Sequence, residues 1–151
     1  MPPTSAEIGL CSAAQRVIDA PAALRAVQAA IWHATQLQVR VNVSVVDAAG
    51  LPAAFARMAG APLHSVEIAI DKAYTAASFG LATGDWQAAL QSHSPAVRTG
   101  LLQRPRFVAF GGGLPIVEQG ECIGGIGVSG GSEAQDSEIA LAGLQELGLA
   151  P

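Results

Sequence analysis

The sequence predicts an α+β protein: a five-stranded antiparallel sheet flanked by helices, with long N-terminal and C-terminal helices. Three observations predict it. Apolar residues recur at helical spacing in three long stretches, at about 12–36, 65–79 and 132–147. Shorter runs alternate or are rich in Val and Ile, as strands are. The strands come in pairs joined by short turns, which favours an antiparallel sheet over a βαβ arrangement.

Val17, Ile18, Leu24, Val27, Ala30 and Ile31 mark the first helix, with Asp19 and Pro21 announcing a break or fresh start, since Pro suits a first helical turn. Val39 to Asp47 reads as a half-buried strand, with Val41, Val43 and Val45 on one face and Asn42 and Ser44 on the other. Asp47-Ala48-Ala49-Gly50 turns the chain into a second strand, Leu51 to Met58, where Pro52 belongs at a start or an edge. A helix follows over Ser65–Phe79, stopped by Gly80, and a shorter one over Asp85–Gln91 with Thr83 as its cap. His93 to Arg106 reads as loop with one helical turn. Short strands are expected at Phe107–Phe110, Leu114–Glu118 and Cys122–Ser129, the last two joined by a Gln119-Gly120 turn. Ser132 and Gln135 form a capping box that opens the final helix.

The 151 residues suit one domain, 1–151, with a full core. Half the residues are apolar and 13% are charged, against an average of about 25%, so a homo-oligomer is expected. A net charge of −4 and scattered arginines exclude a nucleic-acid binder. No stretch approaches the ~18 consecutive apolar residues that a membrane span needs. Met1-Pro2-Pro3-Thr4 lacks the features of a signal peptide, so a cytoplasmic location is expected. Cys11 and Cys122 have no metal spacing and read as buried thiols of a reducing compartment.

Lys72 is the only lysine and the candidate catalytic residue. At 100° per residue it falls among Ile68, Ala76 and Phe79, beside an apolar stripe of Val66, Ala69, Ile70, Ala73 and Ala77. An ammonium there needs an anionic partner or a lowered pKa. It is either a functional group, a structural ion pair with Asp136 or Asp47, or a lysine snorkelling at the arc's edge. Asp136 projects into the buried stripe of the last helix, where it either binds ligand or satisfies backbone amides of a neighbouring loop. Gly112 and Gly113, with Gly127 and Ser129, supply exposed backbone and hydroxyl groups suited to an anion. Thr75, at the edge of the helical arc, and Arg57, on the face of Phe55, complete the ligand-binding candidates; for Arg57 a strand-end pairing role is the simpler one. His33, His64 and His93 lack partners at metal spacing, so no metal site is expected. Each histidine reads as a solvated loop residue, with His64 the alternative axial ligand or base.

Several motifs occur in one order: Val45-Val46-Asp47-Ala48-Ala49-Gly50, Arg57-Met58-Ala59-Gly60-Ala61, Lys72-Ala73-Tyr74-Thr75-Ala76-Ala77, Gly112-Gly113-Leu114-Pro115-Ile116, Gly125-Ile126-Gly127-Val128-Ser129-Gly130 and Gln135-Asp136. From about residue 39 to 147 the chain resembles the GlcG/HbpS (haem-degrading-like) family. The resemblance implies a helix-flanked antiparallel sheet that assembles into dimers or larger oligomers. It also implies one of several jobs, because the family includes haem-binding and haem-degrading proteins, a domain of PduO-type adenosyltransferases and proteins of catabolic operons. The leading expectation is a small-molecule-binding protein, or an enzyme acting on a small anionic or carbonyl-containing metabolite through Lys72. The alternatives are a haem-binding or haem-degrading protein and a non-catalytic oligomeric accessory protein. The cofactor is left open: no histidine falls in the first part of helix one or within the matching motifs, which disfavours haem.

Overall fold

The computed structural model describes residues 11–151, so the expectation for Met1–Thr4 lies outside the described residues. In chain order the elements are α1 (Ala20–Gln36), β1 (Asn42–Asp47), β2 (Pro52–Arg57), α2 (Ser65–Phe79), a 3₁₀ turn (Thr83–Asp85), α3 (Trp86–Leu90), α4 (Pro95–Leu102), β3 (Gly113–Glu118), β4 (Glu121–Ser129) and α5 (Glu133–Glu146). The strands form one antiparallel sheet in the order β2-β1-β4-β3.

Local chemistry sets most boundaries. The Asp19 carboxylate accepts from the Ala20 amide at 2.9 Å and Pro21 lies in the first turn of α1, so the helix starts there and not at Ser12. Asp47 Oδ1 accepts from the Ala49 and Leu51 amides at 2.9 and 3.1 Å, shaping the β1–β2 turn. Gly80 ends α2 in the left-handed conformation with φ 63°. Both partners of the capping box, Ser132 and Gln135, are engaged at the start of α5.

The expected half-buried strand is buried on both faces. Val43 and Val45 of β1, with Ile126 and Val128 of β4, pack against α1 and α5 in the main core. The opposite face, carrying Asn42 and Ser44, is also buried, because β1 is an interior strand and α2 lies across that side. This close approach explains the glycines of β4. A Cβ on Gly127 would run into the Ala69 carbonyl of α2, and one on Gly125 into the Ala73 carbonyl. On α2 the buried set is Ser65, Ala69, Lys72, Ala73, Thr75 and Ala76, an arc rotated from the expected stripe toward Lys72 and Thr75.

The sheet has four strands, not five. Residues 107–110 run over α2 without a ladder partner, because their backbone groups are claimed elsewhere: the Phe107 amide donates to the Arg104 carbonyl at 3.4 Å and the Val108 amide to Thr75 Oγ1 at 3.1 Å. Thr83 does not cap a helix through its side chain; it is fully buried and accepts from the Gly113 amide at 2.9 Å. The expected loop at 93–106 contains an eight-residue helix, α4, begun by Ser94, whose hydroxyl accepts from the Val97 amide. The thiols also differ from expectation: Cys11 is exposed and Cys122 half-buried, and both are free. No helix among the described residues is long and apolar enough to cross a membrane.

Candidate functional site

α2 carries two buried polar side chains one turn apart, and each ties down a different part of the chain. Lys72 is 1% exposed. Its Nζ donates to the Val128 carbonyl at 2.8 Å and to Asp136 Oδ2 at 3.0 Å. Asp136 Oδ1 in turn accepts from the Gly131 amide at 2.9 Å, so one carboxylate serves both the ammonium and the loop between β4 and α5. Burial pushes the Lys72 ammonium below its ordinary value of 10.5, while the Asp136 charge and hydrogen bond, and more weakly Glu133, pull it back up. The Phe110 ring centroid lies 5.1 Å from Nζ, within cation–π range.

Thr75, 1% exposed, donates its hydroxyl to the Arg106 carbonyl at 2.8 Å and accepts from the Val108 amide. Together with Thr83 and Glu133 it holds the connection from α4 to β3 at three backbone positions, Arg106, Val108 and Gly111, and at Gly113, where β3 begins. Arg106 is left-handed there, with φ 66°, a costly conformation for a residue with a Cβ. Its guanidinium sits 3.5 Å from the Tyr74 ring centroid and donates to Asp71 Oδ1 at 3.1 Å. Beneath the connection, Trp86 packs edge-on against Phe79 and Phe107, with centroids 4.8 and 4.9 Å apart. Between the connection and α2 lies a cavity of about 350 Å³, bordered by Tyr74, Phe79, Leu101, Arg104, Arg106 and Phe107 among others.

The candidates from the sequence divide accordingly. Lys72, Asp136 and Gly112 come together: a Cβ on Gly112 would sit 2.6 Å from Lys72 Nζ, and its φ of 125° suits glycine alone. The Ile68–Phe79 surroundings expected for Lys72 are not its setting, since Phe79 is half exposed and the ammonium points to Asp136. Gly113 and Gly127 are packing positions with buried backbone, and Ser129, at 5% exposure, closes β4 opposite Asn42. Arg57 stands on the exposed end of β2 and donates to the Ala61 carbonyl at 2.6 Å, the local role its position suggested. His33 is not a loop residue: it lies in the last turn of α1, with Nε2 2.9 Å from Glu138 Oε1.

Tyr74, Glu133, Arg104 and Arg106 were missed. Glu133, in the first turn of α5, reads from sequence as a dipole partner. The Arg104-Pro105-Arg106 triplet was the one signal for a structured basic turn, but nothing local tells that Arg106 folds back onto α2.

The family described as "Haem degrading protein HbpS-like" matches residues 18–145. The chain is 39% identical over 113 residues to the corrinoid adenosyltransferase PduO of Citrobacter freundii, covering 75% of this chain and 34% of that protein. It therefore spans about a third of that relative. Among solved structures, the Klebsiella pneumoniae protein ORFY superposes with a TM-score of 0.85 at 32% identity, over 93% of this chain and 97% of the other. A PduOC–haem complex superposes with a TM-score of 0.78 at 36% identity, over 86% and 94% of the two chains. The helix-flanked antiparallel sheet, the ordered motifs and the match over 18–145 lead to one conclusion: this chain belongs to the HbpS-like family.

Proposed function

We propose that the chain is a small-molecule-binding protein whose ligand surface is the α4–β3 connection and the cavity it forms with α2. One observation carries this reading. The connection is irregular yet held at Arg106, Val108 and Gly111, and at Gly113 where β3 begins, by the buried hydroxyls of Thr75 and Thr83 and by the carboxylate of the exposed Glu133. A loop ordered before the ligand arrives loses little further entropy on binding. In this reading Lys72 and Asp136 are anchors and not an acid–base pair, because the ammonium is buried and both its acceptors are protein oxygens. The low charge of the chain also supports a homo-oligomer as its working form.

Haem is the first ligand to test, because a relative at 36% identity forms a complex with it. The cavity's aromatic walls suit a porphyrin edge, and Arg104 and Arg106 suit its carboxylates. Of the hydroxyls bordering the cavity, those of Thr75 and Ser78 are held by backbone groups, which leaves the Tyr74 phenol as the oxygen donor for iron, while His33 is on α1 and bonded to Glu138. The bound group would supply redox chemistry; the chain's residues bind and orient it.

Titrating purified protein with haemin should give a saturable Soret shift at one site per chain, weakened in Thr75→Val, where the connection is unpinned. If neither haemin nor an aromatic carboxylate raises the melting temperature or saturates, the binding reading falls.

A further inference from the structure

We infer that the cavity between α2 and the α4–β3 connection takes a one- or two-ring aromatic carboxylate, an inference that rests on the reading of this connection as a ligand surface. The argument is one of charge, shape and wall chemistry. The protein carries a net charge of −4, yet this cavity is bordered by two arginines and by no Asp or Glu. The two arginines are not equivalent. Arg106 is committed to Asp71 and to the Tyr74 ring, which fixes its guanidinium in place and uses part of its hydrogen-bonding capacity. Arg104 has no carboxylate partner among the described residues and borders the same space. An unpaired guanidinium beside a fixed one favours a carboxylate, which it can grip with two parallel hydrogen bonds.

The remaining wall is apolar and ring-shaped. Phe79 is 51% exposed although it belongs to a three-ring cluster, and its neighbour Phe107 is half-buried. Rings left open toward a cavity offer edge and face contacts to another ring. The volume, about 350 Å³, lies near the lower end of small-molecule sites; one or two rings fill it from within, whereas a porphyrin enters it only by an edge. Trp86 gives the site its own reporter: it is buried against both phenylalanines, and its indole nitrogen has no hydrogen-bond partner.

The test uses 2-naphthoate, with 2-naphthylmethanol as the analogue lacking the charge, on the full chain. The Trp86 indole N–H resonance, assigned with a Trp32→Phe variant, is followed by NMR while calorimetry reads affinity. The expected result is a saturable shift of Trp86 alone, with the alcohol and Arg104→Glu each binding at least about tenfold more weakly. Arg25→Glu, the same charge change on exposed α1, should bind like wild type. Equal binding of acid and alcohol, or an unaffected Arg104→Glu, overturns the inference. If haemin saturates one site while naphthoate leaves Trp86 unmoved, the inference falls and the binding reading stands. If neither ligand binds, both fall.

Discussion

Lys72 on α2 and Asp136 on α5 lie 64 positions apart in the chain and meet at 3.0 Å, with side chains 1% and 4% exposed. The pair joins the helix on one face of the sheet to the start of the helix on the other, across the end of β4. Such a pair is costly to break from one side, because the survivor keeps its desolvation penalty and loses its partner.

Lys72→Met should therefore lower stability by ~3–5 kcal/mol, leaving Asp136 buried with only the Gly131 amide. Lys72→Met/Asp136→Leu should recover most of that loss, the stranded Gly131 amide and Val128 carbonyl accounting for the rest. Denaturant melts of the two variants check this; a single variant as stable as wild type would contradict the anchor role.

The lowered pKa of Lys72 makes a second, signed expectation. Between its depressed folded value and the ordinary 10.5, the unfolded chain binds more protons at this residue than the folded one. Its contribution to stability therefore rises with pH across that window and is flat below it. The stability gap between wild type and Lys72→Met should widen as pH climbs toward 10.5. A gap that narrows over that range would refute the assigned direction.

Thr75→Val keeps the shape of the side chain and removes both bonds that hold the α4–β3 connection. The orphaned Val108 amide and Arg106 carbonyl should cost ~1–3 kcal/mol. The specific signature is faster hydrogen exchange at the Val108 amide, with the β1–β4 ladder unchanged. Protection at Val108 equal to wild type would show that the connection is held by something other than Thr75.

Gly127→Ala tests the close seating of α2 on β4. The new methyl meets the Ala69 carbonyl and the Lys72 side chain, so the helix must lift. The expected loss is ~3 kcal/mol, at the upper end for overpacking. Gly120→Ala, at a turn where nothing lies within 4 Å of the added atom, serves as the comparison and should lose less, through its φ of 79° alone. Similar melting temperatures for the two variants would argue against tight helix–sheet contact.

The features legible in the chain were those whose cause lies within one turn of their effect. Ser65–Phe79 carries helical periodicity and its own glycine stop; Ser132 and Gln135 cap α5 three positions apart; Gln119 and Gly120, with φ 52° and 79°, make a turn from two adjacent residues. The ordered motifs pointed to the family for the same reason, since they mark turns and close packing. Tertiary structure decided the rest. Phe107–Phe110 has the composition of a strand, but Thr75, more than 30 positions earlier, takes the amide that a ladder would need. Helical projection put Lys72 on the buried arc with Asp136 or Asp47 as the partner of an ion pair; only the packed fold chose Asp136, and it turned the side chain away from Phe79. Arg104 and Arg106 belong to a stretch that reads as loop, and only the folding of the connection onto α2 sets them beside three aromatic rings. Burial and pairing are properties of the packed assembly, and a partner dozens of residues away leaves no local trace.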